Sequence, residues 1–155
     1  MALLMARPTV LTTRIEASVE SVFGFFADPH RLLEWESTRT QMPTRVLDVT
    51  VTPEGVGTSF GVKGRVGPVW IRHTSRYTDV VRNERIVETV KGRVLGQFAY
   101  SFRPDGSGTR FTLEHVPGAI GRIPVIGAPF DRLRGRRAAG FLDDLRRHLE
   151  SLTAA

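Results

Sequence analysis

The stretch SVESVFGFFADPHRLLEW, from Ser18 to Trp35, decides the fold class predicted for this chain. Ser18 is a good N-cap, and the apolar residues after it give a short helix one buried face. Asp28-Pro29 ends that helix, because a residue before proline avoids the α conformation. A second short helix is predicted from Arg31 to Glu36, so the stretch indicates a pair of short helices.

Strand patterns lie on both sides of this helical pair. β-branched residues predict a first strand from Thr9 to Ala17. Six further strands are predicted at Thr44 to Thr52, Gly57 to Val66, Val69 to Val81, Arg85 to Val90, Leu95 to Arg103 and Thr109 to Val116. The run Pro104 to Gly108 is typical of a hairpin turn. Apolar residues then recur at helical spacing from near Val125 almost to the end, which predicts a long closing helix.

This order predicts an α+β fold in which a curved antiparallel sheet of about seven strands is closed by one long helix around a cavity. A chain of 155 residues is too short for two comfortable domains, so we expect one domain over residues 1–155 with its core at about 8–152.

The composition excludes several classes of protein. The chain has no cysteine, which removes disulfides, thiolate catalysis and zinc–thiolate sites, and is typical of a cytoplasmic protein. No apolar run approaches the ~20 residues that span a bilayer. The net charge is +6, but twenty of the 22 basic residues are arginines spread over the chain. No nucleic-acid-binding motif accompanies them, so we expect no nucleic-acid partner.

Several local motifs resemble the START-like polyketide cyclase and lipid-transfer superfamily. These are I-x-A-x-x-E-x-V-F-x-F-x-A-D-P at Ile15 to Pro29 with Trp35, then Gly57-Thr58, Tyr100-Ser101-Phe102 with Pro104, and Gly108-Thr109. The resemblance implies the helix-grip fold. Members of this superfamily bind lipids, sterols, plant hormones or quinones, and others cyclise or dehydrate polyketides, so the resemblance does not choose among these activities.

Alternation along the strands assigns side chains to faces. On the long strand, the more apolar set holds Val69, Ile71, His73, Ser75 and Tyr77, and we expect it to face the cavity. The predicted ligand-binding residues are Trp35, Phe60, Ile71, Phe98, Phe102, Phe111, Leu113, Phe130 and Leu133. Such a lining, mostly apolar with a few polar groups, is typical of a small-molecule site.

Four residues are the candidates for catalysis. His73 and His115 can act as general acid or base near neutral pH, and Tyr77 and Tyr100 can donate a hydrogen bond to a carbonyl or enolate. The alternative is that all four are hydrogen-bonded packing residues of the core. The histidine and carboxylate spacings form no metal-binding motif, and the glycines form no phosphate loop.

Two functions follow from these residues. The first is binding of a small hydrophobic or aromatic molecule, such as a lipid, a quinone or a polyketide-like compound. The alternative is a polyketide aromatase or cyclase that uses the cavity tyrosines and histidines without a cofactor. We also expect the Gly- and Pro-rich run Pro117 to Pro129 to form an entrance lip. Trp70 and the arginines beside it are a candidate face for a homodimer.

Overall fold

Seven strands form one antiparallel sheet in the part of the chain that this computed structural model describes, which comprises residues 8–39, 44–66, 68–91, 96–117 and 140–154. The strands are β1 (Thr9–Ile15), β2 (Thr44–Thr50), β3 (Ser59–Val66), β4 (Val69–Val81), β5 (Arg85–Lys91), β6 (Gln97–Asp105) and β7 (Gly108–Val116). Their order across the sheet is β1-β7-β6-β5-β4-β3-β2. Strands β2 to β7 are therefore a run of sequence neighbours, and β1 pairs with β7 to extend the sheet.

The predicted pair of short helices is confirmed as α1 (Val19–Ala27) and α2 (Pro29–Arg39). The Ser18 side chain caps α1 by accepting a hydrogen bond from the Ser21 backbone N–H at 3.2 Å. Helix α2 begins earlier than predicted, because proline fits the first position of a helix, where no N–H donor is needed.

Residues 140–153 form the closing helix, α3. The start predicted near Val125 and most of the predicted lip, residues 118–129, lie outside the described residues. Within the described ranges, no helix combines the length and the apolar character needed to cross a membrane.

The core lies between the inner face of the sheet and helices α1 and α3. Phe26 of α1 contacts the rings of Tyr100, Phe102 and Phe111, at centroid distances of 4.8, 5.7 and 5.0 Å. Leu142, Leu145 and Leu149 of α3 are buried in the same cluster. The predicted arrangement, a sheet closed by a C-terminal helix, is therefore confirmed.

Strand β2 is an irregular edge of this sheet. Its pairing with β3 shifts register between Leu47 and Thr50. Asp48, inside the irregular segment, has φ of 47°, a left-handed conformation that aspartate tolerates better than most residues. The other edge of the sheet is β1.

Candidate ligand site on the inner face of the sheet

Four inward-facing side chains line up across strands β4 to β7. The register pairs Tyr77 with Glu88, Glu88 with Phe98, and Phe98 with His115. We call these four residues the central row. Tyr77, Glu88 and His115 are buried, whereas Phe98 is half-buried. Directly paired residues of antiparallel strands have Cβ atoms about 4.5–5.5 Å apart, so the row joins two aromatic rings, a carboxyl and an imidazole in one line.

Glu88 is the member of the row that the sequence prediction missed. It is 6% exposed, and the Tyr100 hydroxyl donates a hydrogen bond of 2.7 Å to its Oε2. Burial raises the pKa of Glu88, while the nearby hydroxyls of Ser75 and Tyr100 lower it less strongly. The inner face thus holds a carboxyl whose uncharged form is favoured by its surroundings.

A signal for Glu88 was available in the alternation of β5. Ile86, Glu88 and Val90 form the buried set of this strand, with Arg85 and Lys91 on the opposite set. A glutamate at the centre of an apolar set, two residues from isoleucine and two from valine, indicates a buried carboxyl.

Tyr77 connects the sheet to helix α1. Its side chain is fully buried, and its hydroxyl donates a 2.6 Å hydrogen bond to the backbone carbonyl of Phe26. Burial, followed by the negative charge of Glu88, raises the pKa of Tyr77 well above its usual value. Its phenol therefore keeps its proton, and this proton makes the hydrogen bond to the Phe26 carbonyl near the end of α1.

Tyr100 is held in the same way by Glu88. It lies beside the central row, with its hydroxyl on the Glu88 carboxyl. Burial and then the charge of Glu88 raise the pKa of Tyr100 well above its usual value. Both predicted tyrosine donors thus already make a buried hydrogen bond within the protein.

The two predicted histidines differ in their surroundings. His115 is buried and stacks on Phe98, with ring centroids 4.4 Å apart. His73 pairs with Val62 of β3 and is half-buried. Burial lowers the pKa of His73, which favours the neutral imidazole.

Ser75 lies one inward position from Tyr77 on β4 and is 1% exposed. Its hydroxyl is close enough to Glu88 to affect the pKa of that carboxyl, but its buried Oγ makes no hydrogen bond of good geometry. An orphaned buried hydroxyl is unusual in a folded protein.

The other predicted residues occupy several places. Phe102 and Phe111 are almost completely buried beneath α1, and Leu113 is buried opposite Tyr100. Phe60 packs edge-on against Tyr77 at 6.2 Å. The backbone of Ile71 lies in β4 opposite Gly64, but its side chain, Phe130 and Leu133 lie outside the described part of the chain.

Trp35 lies apart from the central row. It packs on His148 and Phe141 of α3, at centroid distances of 5.6 and 5.4 Å, and so joins α2 to α3. It also lines an open groove of about 750 Å³ between these helices, with Phe25 and Leu152. The structure therefore separates the predicted site residues into this helix groove and the inner face of the sheet.

The first member of the inward set predicted for β4 is exposed to solvent. Val69 is 57% exposed, because it stands at the first position of the strand. Trp70 alternates to the opposite face, where Arg45 and Lys63 lie over its ring at 5.5 and 5.2 Å. Across the described residues, no three histidine, aspartate or glutamate side chains come together as a metal site would need.

A match to a known protein family identifies the family of this chain. Residues 16–153 match the family described as Activator of Hsp90 ATPase homolog 1-like protein. The chain belongs to this AHSA1-like family. The match covers both the helical pair and the closing helix. No curated protein sequence matches the AHSA1-like chain significantly.

Solved structures share the fold of this AHSA1-like chain. A crystal structure from Chromobacterium violaceum is 21% identical, with 94% of this chain and 99% of that chain aligned at a TM-score of 0.65. The solution structure of the Aha1 dimer from Colwellia psychrerythraea is 16% identical, covering 93% and 96% at 0.64. Ara h 8.0201 is 10% identical, covering 94% and 98% at 0.70. The helix-grip fold implied by the sequence resemblance is thereby confirmed.

Proposed function

We propose that this AHSA1-like protein binds a small hydrophobic or aromatic molecule, such as a lipid, a quinone or a polyketide-like compound, between the inner face of its sheet and helix α3. The observation that carries the proposal is the central row. Aromatic rings with a few fixed polar groups are the usual lining of a small-molecule site. Burial of apolar ligand surface supplies ~25 cal/mol per Å² as gross driving force, so such binding needs no charged anchor.

A gradient of burial along the inner face supports this site. Phe102 and Phe111, beneath α1, are 1% and 0% exposed. Phe98 and His73, on the same face, are only half-buried. Solvent therefore reaches the inner face at the end that holds Phe98 and His73, which is where we expect a ligand to enter.

The second candidate, a cofactor-independent aromatase or cyclase, is favoured by one observation. A buried carboxyl hydrogen-bonded to a phenol, Glu88 with Tyr100, shares the inner face with the imidazole of His115 two strands away, and titratable groups gathered on one face are common in active sites. Against it, Tyr77 and Tyr100 already donate to Phe26 and Glu88. Either phenol would have to give up a buried hydrogen bond to polarise a substrate carbonyl, so we place binding first.

The experiment begins with native mass spectrometry of the purified protein, followed by denaturing extraction of any bound molecule. Nile red, an uncharged apolar dye, then serves as a fluorescent probe of the site. Phe98→Ala is expected to weaken Nile red binding about tenfold, because a lost aromatic contact is worth about 1.4 kcal/mol or more.

The matched control removes an apolar side chain from the helix groove. Leu152→Ala is expected to leave Nile red affinity unchanged, since Leu152 lines the groove and not the central row. Thermal unfolding of both variants checks that they remain folded. Weaker binding in Leu152→Ala with unchanged binding in Phe98→Ala would move the ligand to the groove and contradict the proposal.

For the enzymatic candidate, turnover of a poly-β-ketone substrate is measured as a function of pH. A bell-shaped profile that is lost in His73→Ala or His115→Ala would establish catalysis. Binding without turnover in the wild-type protein would exclude it for that substrate class.

A further inference from the structure

The inner face carries one small polar cluster within its apolar lining, formed by Ser75, Glu88 and Tyr100. Ser75 and Glu88 are 1% and 6% exposed. The Ser75 hydroxyl lies within reach of Glu88, but its Oγ makes no hydrogen bond of good geometry with the described residues. Leaving a buried hydroxyl unpaired destabilises a fold, and a ligand with a polar group at this point would remove that penalty.

The Glu88 carboxyl can form a further hydrogen bond with the same ligand group. The Tyr100 hydroxyl occupies Oε2 of its carboxyl. A carboxyl has two oxygens, and in its protonated form it also has an O–H to donate. The Glu88–Ser75 pair can therefore both donate and accept a hydrogen bond.

The charges around the cluster restrict the ligand further. In the part of the inner face that the structure describes, no lysine or arginine accompanies Glu88. The basic residues of β3, β4 and β7 instead occupy the alternate, outward positions, as at Lys63, Arg72 and Arg110. An anionic head group would be buried beside the Glu88 carboxyl with no cation of the described sheet face to pair it, which is unfavourable.

We infer that the ligand is uncharged, and that Ser75 and Glu88 hydrogen-bond to an oxygen that it carries, a carbonyl or a hydroxyl. The inference rests on the proposed function and names the ligand class for the same site. It predicts that the site binds neutral oxygenated molecules more tightly than fatty acids or phosphorylated lipids of equal chain length.

The test is displacement of Nile red at neutral pH by decane, decanol, a decanone and decanoate, which share one chain length. Decanol and the decanone should bind about tenfold more tightly than decane, the gain expected from one well-made hydrogen bond. Decanoate should bind more weakly than both. Tighter binding of decanoate would overturn the inference and direct attention to Arg146 of α3, whose Nε is also buried without a partner.

Variants identify the residues responsible. Ser75→Ala should remove the preference for decanol and the decanone over decane, so that the three molecules bind with similar affinity. Glu88→Gln keeps the shape and hydrogen-bonding capacity, so it should keep the preference for decanol but admit charged decanoate more readily. The matched control is Ser101→Ala, the same exchange at an outward position of β6, which should change none of these affinities.

The outcomes separate the two proposals. If neither Nile red nor any of the four molecules binds, the proposed function itself fails, and the ligand class falls with it. If decane and decanol bind equally well, or if Ser75→Ala leaves the preference intact, the site binds apolar molecules but the polar cluster does not select them.

Discussion

Replacing Tyr77 with phenylalanine removes a single hydroxyl from a fully buried ring. That hydroxyl donates a 2.6 Å hydrogen bond to the carbonyl of Phe26, in the last turn of α1 (Val19–Ala27). The last four carbonyls of a helix have no partner within it. The substitution therefore removes a buried hydrogen bond and also leaves an acceptor unsatisfied, so the free energy of unfolding should fall by about 2 kcal/mol.

Urea unfolding followed by circular dichroism measures this loss. For a chain of this size it corresponds to a Tm lower by roughly 4–8 °C. The control is Thr12→Val, which removes an exposed hydroxyl paired with Thr112 at 3.1 Å and should change the unfolding free energy by less than about 0.5 kcal/mol. An equally small change in Tyr77→Phe would refute the reasoning, because the Phe26 carbonyl would then have another donor.

Two further predictions concern the carboxyl and the glycines. Because burial raises the pKa of Glu88, the folded state holds this proton more tightly, and the unfolding free energy should fall as pH rises from about 4.5 through the folded-state pKa. Glu88→Gln should remove this decline, and parallel pH curves for the two proteins would contradict the assignment. A methyl group at Gly108 would lie 2.5 Å from the Ile15 carbonyl oxygen, so Gly108→Ala should destabilise the fold by about 1–3 kcal/mol. Gly24→Ala, in open space on α1, should stabilise it by up to about 1 kcal/mol, and urea unfolding of both variants measures the difference in sign.

The fold was predictable because its signals are local. The N-cap at Ser18, the stop before Pro29 and the turn after Pro104 each set an element boundary through backbone chemistry. The long strand β4 has the predicted bounds, since alternation over many residues leaves little freedom of register. Boundaries without such a signal differ from the prediction by one to three residues, as at the ends of β1, β6 and α2.

The site was only partly predictable because its chemistry depends on pairing between strands. Alternation alone places Tyr77, Phe98 and His115 on one face, but the register that aligns them with Glu88 is a property of the assembled sheet. The alternation of β5 indicates that Glu88 is buried, but it does not show that the Tyr100 hydroxyl of the next strand donates to its carboxyl. The acceptors of the two tyrosine hydroxyls could not be predicted from the sequence, because Phe26, for example, is 51 residues from Tyr77 along the chain.

The irregular strand β2 has a consequence for how copies of this chain meet. A regular edge strand offers a row of free N–H and C=O groups to which a second sheet can add. The register shift after Leu47 and the left-handed Asp48 interrupt that row, and bulges of this kind protect an edge from aggregation. We therefore expect that β2 does not extend into a continuous intermolecular sheet when two copies of this chain meet.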